Sequence, residues 1–359
     1  MMEHITSASL NKLVLLDSSA IIHRAYHGLP PLTTKDGVLV NAVYGFITTL
    51  FKVIDEFKPK YIAACFDEKG PTVRHLEFKE YKAHRPKAPD DLIKQFSYVK
   101  EICKALNIPI LSKHGYEADD VIGTIVHKIQ NPKSEILNKS KIKNSNVQNN
   151  SAIKQFNNLT IVIVTGDMDT LQLIDDSVSV YSMSRGIKKA EIYDSEKVKE
   201  RYGFEPMQLI DYKALRGDPS DNIPGVPGIG EKTATNLIKN FQNIENIYDF
   251  ISHSELVLPA GRQSEESHKN IDSSATPQND DKISARISNT LKEYKDQAFL
   301  SKKLATIIKD VPIDFDLSNC LVHDYDKKKA EALFRKLEFK SLINRLPKEE
   351  KNNKQTTLF

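Results

Sequence analysis

The chain's 359 residues are 40% hydrophobic and 28% charged, the balance of a folded protein with room for two domains. A net charge of +3 does not announce a polyanionic partner, so any nucleic-acid surface must come from local clustering. Met1 to Asn11 lacks the charged-then-apolar pattern of a signal peptide and no apolar run is long enough to span a bilayer, which argues against a membrane and for the cytoplasm.

In chain order, Lys12 to Asp17 is a short apolar run ending in a carboxylate, and Ser18 to Tyr26 reads as a loop turning into a helix. The same pattern recurs at Tyr61 to Asp67 and at Leu159 to Asp167, with helical periodicity over Ala42 to Phe57, Pro89 to Leu106 and Ala118 to Ile129. Strands alternating with helices predict an α/β domain with a parallel sheet. Strands of such a sheet share one carboxyl end, so Asp17, Asp67 and Asp167 are expected to converge on the edge where open α/β folds bind ligands. Cys65, Cys103 and Cys320 lie in apolar or helical contexts without pair spacing and are expected as buried, reduced thiols.

Gly70 to Lys87 interleaves Arg74, Lys79, Lys82, Arg85 and Lys87 with Phe78 and Tyr81. The cations suit phosphates and the aromatics suit unpaired bases, although Glu77 and Glu80 dilute the patch and a solvated helix face would explain it in isolation. Glu117, Asp119 and Asp120 open a helix, where the dipole favours acids, and Asp169 follows Asp167 by two residues. Arg216 to Ala234 then joins Asp218 and Asp221 to a glycine-rich turn, Gly225 to Gly230, and a helix starting at Glu231. Glycines admit close backbone approach and a helix N-terminus leaves amides free for a phosphate, which makes Gly225, Gly228, Gly230, Lys232 and Thr233 candidate phosphate contacts, and the resemblance stated below implies that the phosphates are those of DNA. The pattern places nine carboxylates near one edge: Asp17, Asp67, Glu117, Asp119, Asp120, Asp167, Asp169, Asp218 and Asp221. So many cannot stay ionised together without cations, and hard divalent ions are the natural occupants.

Two segments, Asn131 to Asn158 and Leu256 to Asp281, are polar interruptions expected to lie outside the packed core. Helical patterns return over Lys282 to Ile308 and Asp326 to Leu337, followed by apolar positions up to Leu346 and a polar ending.

Five separated elements occur in a telling order: Asp17 after a strand, Phe66-Asp67 followed by Tyr81-Lys-Ala-His-Arg-Pro86, Glu117-Ala-Asp-Asp120, Thr165-Gly-Asp-Met-Asp169, and Gly217 to Gly230. In these the chain resembles the 5′ nuclease domain of bacterial DNA polymerase I and, through it, the flap endonuclease superfamily. The resemblance implies a PIN-like (resolvase-like) parallel-sheet core with a helical arch over 1–192. It further implies a helical DNA-binding domain over 193–346, with a helix-three-turn-helix at 217–239, and a flexible tail over 347–359. It assigns Asp17, Asp67, Glu117, Asp119 and Asp120 to the more catalytic metal group and Asp167, Asp169, Asp218 and Asp221 to a second. Lys82 and Arg85 match arch residues at the scissile phosphate, Tyr26 and Tyr81 are stacking candidates, and the 225–230 turn is expected to grip duplex phosphates with a potassium ion.

The implied activity is that of a 5′-3′ exonuclease and 5′-flap endonuclease in replication and repair, hydrolysing phosphodiesters with two or more Mg²⁺ or Mn²⁺ ions. Its implied partners are DNA with 5′ flaps, nicks or ends and RNA–DNA primer junctions, met by a monomer. The last five residues, with Gln355, Leu358 and Phe359 as anchors, resemble the peptide by which bacterial proteins dock into the sliding clamp. That peptide favours a natural chain end, a polymerase fragment being the alternative. Two other functions compete. Asp167-Met-Asp-Thr-Leu171 begins like a haloacid-dehalogenase-type phosphatase motif, which leaves Asp17, Asp67 and the 217–234 loop unexplained, and a non-catalytic DNA-structure-binding, clamp-tethered scaffold would require a missing ligand.

Overall fold

The computed structural model describes residues 11–131, 159–183, 189–256, 283–322 and 325–347. The two polar interruptions and the tail with Gln355, Leu358 and Phe359 fall outside these residues, apart from Asn131 and Leu256 at their margins and Pro347 at the start of the tail. The chain divides into two compact units, one of Met1–Lys79, Arg85–Lys197 and Ile307–Phe359, the other of Glu80–His84 and Val198–Thr306.

The first unit is built on a six-stranded sheet in the order β3-β2-β1-β4-β5-β6. Its strands are β1 (Asn11–Asp17), β2 (Tyr61–Cys65), β3 (Ile110–Leu111), β4 (Leu159–Thr165), β5 (Val178–Ser182) and β6 (Glu191–Tyr193). Leu13 to Leu16 in β1 and Ile62 to Cys65 in β2 are buried, as continuous apolar strands covered on both faces must be. β1 pairs in parallel with β2, placing Asp17 beside Cys65, and in parallel with β4, placing Leu16 beside Val164. From β1 the chain crosses to β2 and β3 on one side and returns to β4 on the other, so strand order reverses at β1. The carboxyl end of β1 is therefore the topological switch point of the sheet.

The expectation of a parallel sheet holds for five strands and fails at the sixth, because β6 pairs antiparallel with β5. Only a short connection joins Ser182 to Glu191, and a parallel return needs a crossover of about a dozen residues or more.

Helices α1 (Ser18–Gly28), α2 (Asn41–Phe57), α3 (Val73–Glu77), α4 (Asp90–Ala105) and α5 (Ala118–Gln130) belong to this unit. Phe46, Ile47, Leu50, Phe51 and Ile54 recur along α2 at helical spacing and join the core, and Lys58 ends the helix with φ +45° and its N–H on the Ile54 carbonyl.

In the second unit, helix α6 (Ser195–Tyr202) carries the boundary, and α7 (Leu209–Arg216), α8 (Glu231–Phe241), α9 (Ile244–Leu256), α10 (Ala285–Glu293) and α11 (Lys295–Ala305) follow. The helix expected over Lys282 to Ile308 is thus two, broken at Tyr294. Ala234, Leu237 and Ile238 face inward from α8 at the i, i+3, i+4 spacing. The Tyr248 hydroxyl fixes α9 to α10 by donating to the Leu291 carbonyl at 3.0 Å.

Two stretches group differently from the expected domains. Residues 307–346, assigned by sequence to the helical domain, return to the first unit, where α12 (Lys327–Lys336) and α13 (Lys340–Ile343) pack on its core. Phe334 meets Phe51 at a ring distance of 6.0 Å and Phe339 meets Tyr44 at 5.6 Å. Glu80 to His84, assigned to the arch of the core, group with the second unit.

Candidate active site

Strand ends and one helix start gather the acids of the first unit. Asp17 closes β1 and caps α1, its Oδ1 accepting the Ala20 N–H at 3.0 Å. Its Oδ2 accepts the Thr165 hydroxyl at 2.7 Å, and the same hydroxyl accepts the Asp167 N–H at 2.9 Å. One threonine at the end of β4 therefore holds two of the acids, and the β1–β4 register brings it there. Asp67, two residues past β2, is oriented from both sides. Its N–H donates to Ser19 Oγ at 2.9 Å, and its Oδ1 accepts the Ala118 N–H of α5 at 2.7 Å. Asp167 Oδ1 accepts the Asp169 N–H at 2.9 Å, which starts the 3-10 turn Asp169–Leu173. Glu117 caps α5 in a reciprocal box with Asp120, leaving Asp119 half-buried in the first turn.

Crowding shows in the electrostatics. Burial, then the Asp67 carboxylate and more weakly Asp167, push Asp17 from 3.8 up to about 7 against the hydrogen bonds from Ala20 and Thr165. A carboxyl placed so deep among like charges is ionised most readily when a cation offsets them. All the donors are hard oxygens, which fit a hard divalent ion and not a thiolate or imidazole metal site. Among the described residues no group of three or more such side chains stands close enough to hold one ion as placed, because several are turned onto backbone N–H groups.

Two of the expected site residues are paired with each other. Asp120, expected as a metal ligand, is fully buried and its two oxygens receive Arg74 Nη1 and Nη2 at 2.7 Å each. Arg74, expected at DNA, is buried in that pair and also reaches Glu117 Oε2 at 3.3 Å. Burial would lower the Arg74 guanidinium, but Asp120, Asp119 and Glu117 outweigh it and hold it above its usual value. Of the other cations, Lys79 and Arg85 are exposed. Tyr26 is half-buried, its hydroxyl donating to Asp91 Oδ1 at 2.9 Å and its ring edge-on to His27 at 5.0 Å.

The remaining expected residues lie in the second unit. Asp218 sits in a tight turn after α7, where its N–H and carbonyl pair with Ile223 at 2.9 Å each. Burial pushes its carboxyl up, but Lys213 at 2.6 Å and two hydrogen bonds from Ser220 outweigh that and bring it down to about 2. Asp221 is buried, accepting the Tyr81 hydroxyl at 3.1 Å, with Lys82 Nζ 3.5 Å away. Tyr81, expected to stack on bases, is itself buried, and Lys82 lies over its ring at 4.8 Å with a backbone φ of +53°. Lys82 and Arg85, expected as a pair, fall in different units.

Gly225 is buried, its N–H donating to Ser301 Oγ at 3.0 Å and its carbonyl accepting from Gln297 at 2.7 Å, so its backbone groups serve packing. Gly228, Gly230 and Lys232 are exposed, Thr233 is half-buried, and the first turn of α8 has no side-chain cap.

Sequence reasoning missed Thr165 and Ser19, the hydroxyls that aim the acids. Their only signal was position, each lying within two residues of a strand-end aspartate.

A parallel α/β sheet whose switch point carries gathered carboxylates is the class of architecture that strands and acids define together. Residues 12–141 match the model of the 5′-3′ exonuclease N-terminal resolvase-like domain, and residues 204–328 that of the 5′-3′ exonuclease C-terminal SAM fold. Over 337 residues the chain is 40% identical to DNA polymerase I of Caldicellulosiruptor bescii, covering 93% of this chain and 33% of that protein. It is 35% identical over 335 residues to DNA polymerase I of Bacillus subtilis, covering 93% and 32%. The chain belongs to the 5′-3′ exonuclease family, whose N-terminal and C-terminal domain models it matches in order. It spans about a third of the length of the curated relatives it matches. Its fold is also that of the bacteriophage T5 flap endonuclease solved with DNA and metal ions, with a TM-score of 0.55, 21% identity, and 91% and 100% of the two chains covered.

Proposed function

We propose that this chain is a structure-specific 5′-3′ exonuclease and 5′-flap endonuclease that hydrolyses DNA and RNA-primer strands, on a PIN-like core with a helix-three-turn-helix in the second unit. The observation that carries this reading is the convergence of Asp17, Asp67 and Asp167 at the β1 switch point, with Asp17 held at about 7 by burial and its acidic neighbours. Asp17, Asp67, Glu117, Asp119, Asp167 and Asp169 are the residues that would hold Mg²⁺ or Mn²⁺. Such ions, when bound, supply an activated water and offset charge on the leaving 3′ oxygen.

The chain's own residues do the rest. Thr165 fixes Asp17 and the Asp167 backbone together, and Ser19 and Ala118 fix Asp67 between them. Arg85 and Lys79, exposed, offer charge to backbone phosphates, and the half-buried Tyr26 ring, tethered by Asp91, offers a stacking edge. The uncapped first turn of α8, with Gly228, Gly230, Lys232 and Thr233, suits a duplex phosphate. Nothing in this set reads base edges, so selection rests on strand ends and shape.

The test is a comparison of three 5′-labelled substrates in Mg²⁺: a flap duplex, the same single strand, and a blunt duplex. Cutting near the flap junction at least tenfold faster than on the single strand is expected. Equal rates on all three would contradict structure specificity.

A further inference from the structure

Asp120 accepts four donors: Arg74 Nη1 at 2.7 Å and the Glu117 N–H at 3.1 Å on Oδ2, and Arg74 Nη2 at 2.7 Å and the Ile308 N–H at 2.9 Å on Oδ1. A carboxylate has about four lone-pair sites, and on this fully buried one all are taken. Arg74 is reached from α3, which is itself tied toward α5 by the Val73 N–H on the Gly115 carbonyl at 2.9 Å. The fork geometry matters, because a guanidinium meets a carboxylate with two parallel bonds that a lysine cannot form.

The Ile308 contact belongs to a longer strap. The Ile307 N–H donates to Gln172 Oε1 at 2.9 Å and the Val311 N–H to Thr124 Oγ1 at 3.0 Å. Ile307 also covers Gly123 of α5 so closely that a Cβ added there would lie 2.5 Å from Ile307 Cγ2. Gln172 sits in the turn that Asp169 starts. One extended segment therefore ties the helix bearing Glu117 and Asp119 to the turn bearing Asp169.

We propose that Arg74 and Asp120 are positioning residues: clamped by the Ile307–Val311 strap, the buried pair holds the first turn of α5 so that Glu117 and Asp119 are presented to the reacting phosphate, and neither residue touches metal or DNA. This deepens the nuclease reading above and rests on it. The prediction separates the pair from both roles the sequence suggested. A DNA contact would act on affinity and its salt dependence, and a ligand would act on the number of ions bound.

The experiment uses the full chain as wild type, Arg74→Lys, Asp120→Asn and the double variant Arg74→Met/Asp120→Leu. The double variant leaves no lone buried charge, so it keeps the test open if a single variant does not fold. Three quantities are read: the single-turnover rate of flap cleavage at saturating enzyme, the Kd for flap DNA in Ca²⁺, and the number of Mn²⁺ ions bound in a paramagnetic-resonance titration. A loss of about 10–100-fold in rate is expected for each variant, the usual cost of losing a partner that orients a ligand. The double variant should be no slower than the slower single, the DNA Kd should stay within about twofold, and the Mn²⁺ number should equal that of wild type. A tenfold weaker Kd with an unchanged rate for Arg74→Lys would overturn the proposal in favour of a DNA contact, and one fewer Mn²⁺ in Asp120→Asn would overturn it in favour of a ligand. If wild type itself does not cut, the nuclease reading fails while the Mn²⁺ count still decides the role of Asp120.

Discussion

At the scale of single residues, Asp17 links the site to stability. Its carboxyl stands at about 7 when folded against 3.8 for an unperturbed group, so between these values the folded state binds more protons than the unfolded one. The metal-free protein is thus most stable below that window and loses stability as pH rises through it. At about 1.4 kcal/mol per pH unit over about 3 units, the loss is of the order of 4 kcal/mol. Melting in EDTA should fall from pH 4.5 to pH 7.5, Asp17→Asn should flatten that slope, and Mg²⁺ should restore more stability at pH 7.5 than at pH 4.5. A slope unchanged by Asp17→Asn would place the titration elsewhere. The strand-end aspartates were legible in the sequence because an apolar run of known period fixes where its last residue lies. The fate of Asp120 was not, because its partners Arg74 and Ile308 come from 46 and 188 residues away and no local pattern announces them.

At the scale of elements, the glycine-rich turn divides its labour. Gly225 has φ +62° and a Cβ there would lie 2.2 Å from the Gly217 nitrogen, whereas a Cβ at Gly228 meets nothing within 4 Å. Gly225→Ala should therefore cost more than the roughly 1–2 kcal/mol of the left-handed backbone alone, while Gly228→Ala should cost about that amount. Urea unfolding of the two variants checks the order, and equal losses would remove the packing role of Gly225. The sequence showed a flexible turn there, but backbone against backbone is a tertiary fact that composition does not carry. The same limit explains Tyr81 and Lys82. Their spacing with cations suggested a surface, and the hydrogen bonds of Tyr81 and the Lys82 N–H to Asp221 place the segment in a packed unit instead. The alternation of strands and helices was readable from period alone, yet the direction of β6 followed from connection length and not from its own residues.

At the scale of the whole molecule, the membership of the two compact units follows from packing and not from order along the chain. Helical periodicity over 326–346 shows an apolar face without saying which core it covers, and Phe334, Phe339 and Leu342 cover the first unit's. The strap that begins at Ile307 makes the described residues that follow it components of the first unit. The net charge of +3 is close to neutral, so DNA affinity should come from local cations and fall steeply with salt. The central question for this molecule is whether the carboxylate edge performs metal-dependent hydrolysis. The measurement that asks this most directly is cleavage of a 5′-labelled flap duplex in Mg²⁺ and in EDTA, with Asp167→Asn as the paired variant. Cutting near the flap junction is expected in Mg²⁺, with none in EDTA and at least a hundredfold loss in the variant. Tight binding of the flap without cutting in any divalent ion, or full activity of Asp167→Asn, would contradict it.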